Sequence, residues 1–257
     1  MPEIKNRNVS IYYEAHGEGR PLLLSHAYAA SHKMWEPQVG PISERYRLIT
    51  WDMRGHANSD SPEDEDEYSE ERTVEDMGLI LEAEGASEAV IGGLSLGGYM
   101  SFAFYLAHPD MVKGLLLVDT GPGYRNPDAR AGWNKMAFAQ ADRYLERGIA
   151  GLPPATEVQV GAALQRSPEG LAKSARGMLA QSHSKVLDII ESITIPALVI
   201  VGADDTPFLQ ATEVMAAKLP NARKLVIEKA GHAANMDQPE IFNEAVLGFL
   251  DEVWAAG

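Results

Sequence analysis

Ala89-Val90-Ile91-Gly92-Gly93-Leu94-Ser95-Leu96-Gly97-Gly98 carries a short apolar run into four glycines gathered around one serine. A helical pattern follows, in which Tyr99, Phe102, Ala103 and Leu106 fall at i, i+3, i+4 and i+7. Gly93-Leu94-Ser95-Leu96-Gly97 fits G-x-S-x-G in the strand-then-helix setting that motif requires. A turn this sharp brings the residues flanking the serine against neighbouring backbone, where a Cβ would clash. It also holds the hydroxyl clear of the sheet at a helix N-terminus, where the free N–H of Leu96 and the helix dipole can stabilise a developing oxyanion. Rival glycine motifs fail. A phosphate-binding loop needs Lys after Gly98, where Tyr99 stands, and a dinucleotide fingerprint needs glycine two residues after Gly93, where Ser95 stands. The plainer alternative is that Ser95 only caps the helix. Whether a base and an acid lie downstream decides between the two.

Outward from this turn, short apolar runs recur at 22–24, 48–51, 89–91, 115–118, 197–201 and 225–227. Continuous rather than alternating runs suit strands buried on both faces of a parallel sheet. Most gaps can hold a helix, and near the C-terminus Phe242, Val246, Phe249, Leu250 and Val253 share one helical face. The pattern predicts an α/β fold, a mostly parallel wound sheet covered by helices on both faces. Two segments break the rhythm. Residues 63–71, Glu-Asp-Glu-Asp-Glu-Tyr-Ser-Glu-Glu, read as a solvated loop leading into a helix. Residues 121–191 hold no buried strand, only helix-like stretches punctuated by Gly and Pro, and are expected to cap the carboxyl ends of the strands, where ligands bind. The expected organisation is a single domain over 1–257 with this helical cap inserted at about 121–191.

A chain of 257 residues, 45% hydrophobic, is long enough for one substantial core. With 22 Lys and Arg against 37 Asp and Glu, its net charge of −15 would repel nucleic acid and anionic membrane surfaces, so neither is an expected partner. The absence of cysteine excludes disulfides, thiolate metal sites and cysteine nucleophiles. The opening Met1-Pro2-Glu3-Ile4-Lys5-Asn6 lacks the apolar stretch of a signal peptide, and a soluble cytoplasmic protein is the default expectation.

A serine hydroxyl becomes nucleophilic only when a base takes its proton and an acid orients that base. Of the seven histidines, His183 and His232 lie far enough downstream. His183 falls inside the helical segment with nothing to fix it. His232, in Ala230-Gly231-His232-Ala233-Ala234, follows the last strand and so lies on the same rim as Ser95. Three aspartates share that rim: Asp204 and Asp205 after the run ending at Val201, and Asp119 after 115–118. Local turn hydrogen bonding is the expected role of Asp119 and Asp204.

The elbow at 93–97, the Gly202-x-x-Asp205 turn, Ala230-Gly231-His232 and Asp52-Met53-Arg54-Gly55-His56 together resemble the α/β-hydrolase superfamily. In that family's pattern the acid stands three residues after the glycine, which implies Asp205. The resemblance places the second oxyanion donor in Ser25-His26-Ala27-Tyr28-Ala29, as the backbone N–H of Tyr28 beside that of Leu96; alanine replaces the family's glycine after His26. His26 is implied to support this loop. Ala57 also stands where the family usually has glycine, in a loop with no implied chemistry. His108 fits a helix C-terminus.

These residues imply acyl transfer to water with no metal and no organic cofactor. The elbow and compact cap resemble small serine esterases and 3-oxoadipate enol-lactonase-like enzymes. The expected substrate is a small carboxylic ester, with lactone or carbon–carbon bond hydrolysis as the second reading and a catalytically silent binding protein as the third. Trp133, Met136 and Phe138 are expected to help line the pocket. Residues 121–191 hold nine Lys and Arg against seven Asp and Glu on an otherwise strongly acidic chain, which points to Arg125 and Arg130 as contacts for a substrate carboxylate remote from the scissile bond.

Overall fold

The computed structural model describes residues 3–255. Met1, Pro2, Ala256 and Gly257, included in the expected unit 1–257, lie outside the described residues. In chain order the strands are β1 (Glu3–Asn6), β2 (Val9–His16), β3 (Pro21–Ser25), β4 (Arg47–Trp51), β5 (Ala89–Leu94), β6 (Val112–Val118), β7 (Ala197–Gly202) and β8 (Ala222–Ile227). They form one sheet in the order β1-β2-β4-β3-β5-β6-β7-β8. Pairing is parallel from β4 to β8, while β2 runs antiparallel to both β1 and β4.

The central strands are apolar without interruption because each side of the sheet is covered. Alternate side chains enter two different cores. Leu23, Ile49, Ile91, Leu115, Leu117 and Val199 pack against α2 (Glu70–Ala83) and α3 (Leu96–Ala107). Leu22, Leu24, Leu48, Val90, Leu116 and Leu198 pack against residues of α1 (Glu36–Ser43) and α10 (Pro239–Ala255). The face expected near the C-terminus is the buried face of α10. The helix after the elbow differs from an amphipathic surface helix. Residues 96–104 are all buried, because α3 lies over the middle of the sheet and beneath α2.

Three strands depart from expectation. The antiparallel pair β1 and β2 did not stand out among the apolar runs, although Val9, Ile11 and Tyr13 of β2 are buried at every second position. The run at 225–227 belongs to an edge strand and is not buried on both faces. Only Ile227 of β8 is buried, and Arg223 and Lys224 face solvent in ion pairs with Glu252 and Glu213. Charged side chains of this kind guard an open sheet edge against pairing with other chains.

The acidic stretch 63–71 does lead into a helix. The hydroxyl of Ser69 accepts from the Arg72 N–H at 3.2 Å as the cap of α2, and Glu70 and Glu71 sit in its first turn, where the helix dipole favours them. One acid of the run is structural. Glu67 pairs with Arg54, whose fully buried guanidinium also donates to Asp76 at 2.6 and 2.8 Å.

Between β6 and β7 lie α4 (Pro127–Arg147), α5 (Thr156–Gln159), α6 (Pro168–Ser174) and α7 (Lys185–Ile189). α6 runs on into a π-helical turn at Ala175–Leu179. These cap-like helices have a small core of their own, Ala141, Tyr144, Val158, Leu171, Ala172 and Ala175, into which the loop after β3 inserts Ala29. After β7 come α8 (Thr206–Lys218) and, beyond β8, α9 (Ala234–Asp237). No helix among the described residues is long and apolar enough to cross a membrane.

Candidate active site

Ser95 stands between β5 and α3 at φ 56° and ψ −113°, a backbone position that a serine keeps only when its surroundings hold it there. Its N–H donates to the Val118 carbonyl at 2.9 Å, and its own carbonyl accepts from the Tyr99 N–H at 3.1 Å and the Thr120 hydroxyl at 2.7 Å. Two glycines make room for the turn. A Cβ at Gly93 would overlap the backbone of Gly97 and stand 2.6 Å from the Ser25 carbonyl oxygen; one at Gly97 would overlap that same oxygen. Leu96 opens α3, so its N–H belongs to the helix's first turn and has no intrahelical acceptor.

Asp205 and His232 reach this rim on the loops after β7 and β8. The Asp205 carboxylate, 6% exposed, accepts from Nδ1 of His232 at 2.8 Å. An ionised carboxylate can only accept, so the proton resides on Nδ1 and the lone pair of the neutral ring on Nε2. The half-exposed imidazole lies over Phe208, ring centroids 5.0 Å apart. Asp204 points elsewhere. It is exposed, and its N–H donates to the Ala230 carbonyl.

Asp119 was expected to make a turn bond of its own, and the structure differs. Its Oδ1 accepts from the Gly202 N–H at 2.8 Å, tying the end of β6 to the end of β7. The residue is fully buried at φ 43°. One ligating atom from each of Asp119, Asp205 and His232 falls within 4.8 Å of the others. Burial, with the nearby Asp205 charge added, pushes the Asp119 carboxyl up to about 9 against the opposing pull of the Gly202 N–H. A metal ion bound there would have to displace the His232–Asp205 bond, so the arrangement is that of a hydrogen-bonded cluster.

The loop after β3 approaches Ser95 from the other side. The Tyr28 N–H makes no hydrogen bond among the described residues, and Ala29 beside it has φ 60°. Ala57 likewise takes a left-handed φ of 45°. His26 is buried and locked into one tautomer: Nδ1 donates to the Ala27 carbonyl at 2.7 Å, and Nε2 accepts from the Met53 N–H at 2.9 Å. Burial lowers its pKa, so it is a neutral strut of the loop.

A cleft of about 130 Å³ opens at Ser95. Leu96, Thr120, Tyr124, Trp133, Gln181 and Phe208 help line it, and no charged side chain is among its lining residues. Trp133 is fixed by a 2.8 Å bond from its indole N–H to the Leu179 carbonyl. The other expected pocket residues lie elsewhere. α4 turns Ala137, Ala141 and Tyr144 inward. Phe138, about 140° round the helix from Trp133 at 100° per residue, is 45% exposed, and Met136 is 37% exposed. Arg125 is largely exposed, donating to the Leu187 carbonyl and pairing with Asp188, while Arg130 donates to the Tyr124 carbonyl. Both guanidiniums are committed to their own segment and neither lines the cleft. His183 lies 3.4 Å from Glu70, and His108 terminates α3.

Three contributors had no sequence signal. Thr120 secures the Ser95 carbonyl, Phe208 supports the imidazole, and Gln165 bonds to both loops that carry left-handed alanines. Each acts across 24 or more residues of chain, where no local spacing rule applies.

Similar proteins share this architecture. An esterase from Thermogutta terrifontis, described as thermophilic, superposes with a TM-score of 0.82 at 28% identity over 95% of this chain and 94% of its own. The 3-oxoadipate enol-lactonase 1 of Acinetobacter baylyi is 25% identical over 97% of this chain and 95% of its own. A Bacillus subtilis protein provisionally named 2-succinyl-6-hydroxy-2,4-cyclohexadiene-1-carboxylate synthase is 28% identical over 89% of each. The sequence profile of the family described as alpha/beta hydrolase fold matches residues 20–169, more than half of the chain and the half that holds Ser95. The chain belongs to the α/β-hydrolase fold family.

Proposed function

We propose that the protein is a serine hydrolase that cleaves small, uncharged carboxylic esters, with Ser95 as nucleophile, His232 as general base and Asp205 as the carboxylate that orients it. The observation that carries this reading is the backbone of Ser95, held at φ 56° at a helix N-terminus by contacts from β3, β6 and Thr120. Strain maintained at so many points is characteristic of a functional serine and serves no purpose in a simple helix cap. The His232–Asp205 bond supports it, because it leaves Nε2 able to accept a proton.

In the first step Nε2 takes the Ser95 proton as Oγ adds to the ester carbonyl carbon. The resulting oxyanion is received by the N–H groups of Leu96 and Tyr28. Collapse breaks the carbon–oxygen bond to the leaving alcohol, which takes the proton from His232. Water then adds to the acyl-enzyme by the same route, its proton passing through Nε2 back to Ser95 as the acid leaves. Asp205 remains ionised throughout. The uncharged lining of the cleft favours neutral esters, and Trp133 and Phe208 offer apolar surface to them.

Lactones are the second reading, favoured by the similarity to an enol-lactonase over nearly the full chain. The test is a hydrolysis screen over short p-nitrophenyl esters, lactones and β-diketones with wild type and Ser95→Ala. Ester cleavage that disappears in the folded alanine variant is expected, together with labelling of Ser95 alone by an organophosphonate. Substantial ester hydrolysis by Ser95→Ala would refute the mechanism.

A further inference from the structure

The helices over the cleft do more than roof it. Gln165, at the end of a short helical turn between α5 and α6, is 6% exposed and reaches into the body. Its side-chain N–H₂ donates to the carbonyls of Ala29 at 3.1 Å and Ala30 at 2.8 Å, and its carbonyl accepts from the Ala57 N–H at 3.0 Å. One amide thus joins three segments of chain and uses both its donors and its acceptor. Two of the residues it holds, Ala29 and Ala57, are in the left-handed backbone region at φ 60° and 45°. An alanine there costs about 1–2 kcal/mol relative to its usual conformations, so each needs an external hold. Ala29 adjoins Tyr28. The same contact is reinforced from α6, where the Leu171 carbonyl accepts from the Tyr28 hydroxyl at 2.7 Å, and Ala29 itself is buried in the core formed by the cap-like helices.

From this we infer that Gln165 is a positioning residue for the oxyanion hole: it sets the backbone of residues 28–30 so that the Tyr28 N–H is aimed where charge develops. The inference rests on the proposed role of Ser95 and of the Tyr28 N–H. On this view the cap completes the reaction machinery of the body. A hydrogen-bond donor misplaced by a fraction of an ångström contributes little to the transition state while substrate binding is almost unaffected. The loss therefore belongs in kcat.

Gln165→Ala removes the clamp. Gln165→Glu keeps the size and the acceptor for Ala57 but sets a second oxygen against the Ala29 and Ala30 carbonyls. Gln159→Ala, at an exposed cap glutamine whose side chain donates to the Pro153 carbonyl, serves as control. All are assayed with a neutral p-nitrophenyl ester beside wild type and Ser95→Ala, with folding checked by near-ultraviolet circular dichroism and thermal unfolding. Both Gln165 variants are expected to lose about 10–100-fold in kcat with KM within about threefold, since removing one oxyanion donor outright costs about 10²–10³. Affinity for an aryl boronic acid, which mimics the tetrahedral adduct, should fall in parallel with kcat, while affinity for the product carboxylate stays constant; the control should be unchanged. Unaltered kcat and boronate affinity in the folded Gln165→Glu variant would overturn the inference, as would a loss confined to KM or matched by the fraction unfolded. Activity surviving in Ser95→Ala would instead refute the underlying reading, so the two failures are distinct.

Discussion

The rim of the sheet and the helices above it hold their residues in opposite ways. On the rim, Ser95, Asp119 and Asp205 are placed largely by backbone: strand ends register against one another, the Ser95 and Asp119 N–H groups donate to carbonyls of the neighbouring strands, and two glycines leave no alternative path. In the cap-like segment, Trp133, Gln165 and Arg125 are placed by side-chain hydrogen bonds to backbone carbonyls. Backbone placement is rigid and resists substitution, whereas side-chain placement changes one residue at a time. The division suggests that chemistry belongs to the rim and choice of substrate to the cap, with Gln165 as the exception that crosses between them.

The largest expected effect tests the rim. Asp205→Asn should lower kcat by about 10⁴-fold with the fold intact, because an amide can no longer select the Nδ1–H tautomer of His232. Kinetics on a neutral ester measure it, and a loss of less than tenfold would detach Asp205 from the mechanism. A smaller change is expected in the cap. Trp133→Ala should raise KM about tenfold for long acyl chains and leave kcat for acetate esters nearly unaltered, in proportion to the apolar surface removed from the cleft. If kcat fell instead, the division between rim and cap would be wrong at that residue.

Smaller still is the expected effect of Asp119→Asn. The wild-type carboxyl is neutral at pH 7, so the amide preserves both its charge and its bond from the Gly202 N–H, and kcat should change by no more than about threefold. Stability carries the clearer sign. A carboxyl raised in the folded state contributes its full stability below its unfolded value near 4 and loses it progressively as pH rises towards about 9. Asparagine lacks that loss. The variant's stability relative to wild type should therefore climb between pH 5 and pH 9 in urea titrations, and a flat difference would show that Asp119 ionises freely. The smallest expected effect is none. An ω-carboxylate ester should gain no advantage over its neutral analogue at low salt, because Arg125 and Arg130 are engaged outside the cleft; an advantage that vanished with added salt would restore them as substrate contacts.

How much of this was legible depended on the range of the interaction involved. The elbow was readable because its residue types and their spacing fall within five residues, although its glycines also make room for Ser25, and β3 to β7 because strands buried on both sides must be apolar throughout. The position of β8 at the edge was not, since the order of strands is a property of the sheet and an apolar run of three residues reads the same at its centre or its rim. The residues left three aspartates open, and resemblance selected Asp205. The structure adds what spacing cannot express, that Asp205 alone of the three bonds to His232 while Asp119 is kept neutral by burial. Met136 and Phe138 were counted as pocket residues for their apolarity, but their side of α4 depends on which stripe the helix buries, and that stripe is the small one of Ala137 and Ala141. Gln165 was silent because its partners lie more than a hundred residues away.

The seat of Ser95 has a bearing on the life of the chain before it is folded. Its motif is five residues long, yet its groups answer to distant ones: Gly93 and Gly97 press on Ser25, the Ser95 N–H donates to Val118, and its carbonyl accepts from Thr120. During synthesis the segment 93–97 emerges before the strand it must pair with on its C-terminal side. Non-local contacts of this kind form only after the chain's ends have been brought together. A nascent or partly unfolded molecule therefore holds a relaxed serine in an ordinary backbone conformation, and reactivity arrives with the completed sheet. On the proposed mechanism, the capacity of Ser95 to attack an acyl group is in this sense a property of assembly, switched on by β6 docking beside β5 and absent from any fragment that ends before it.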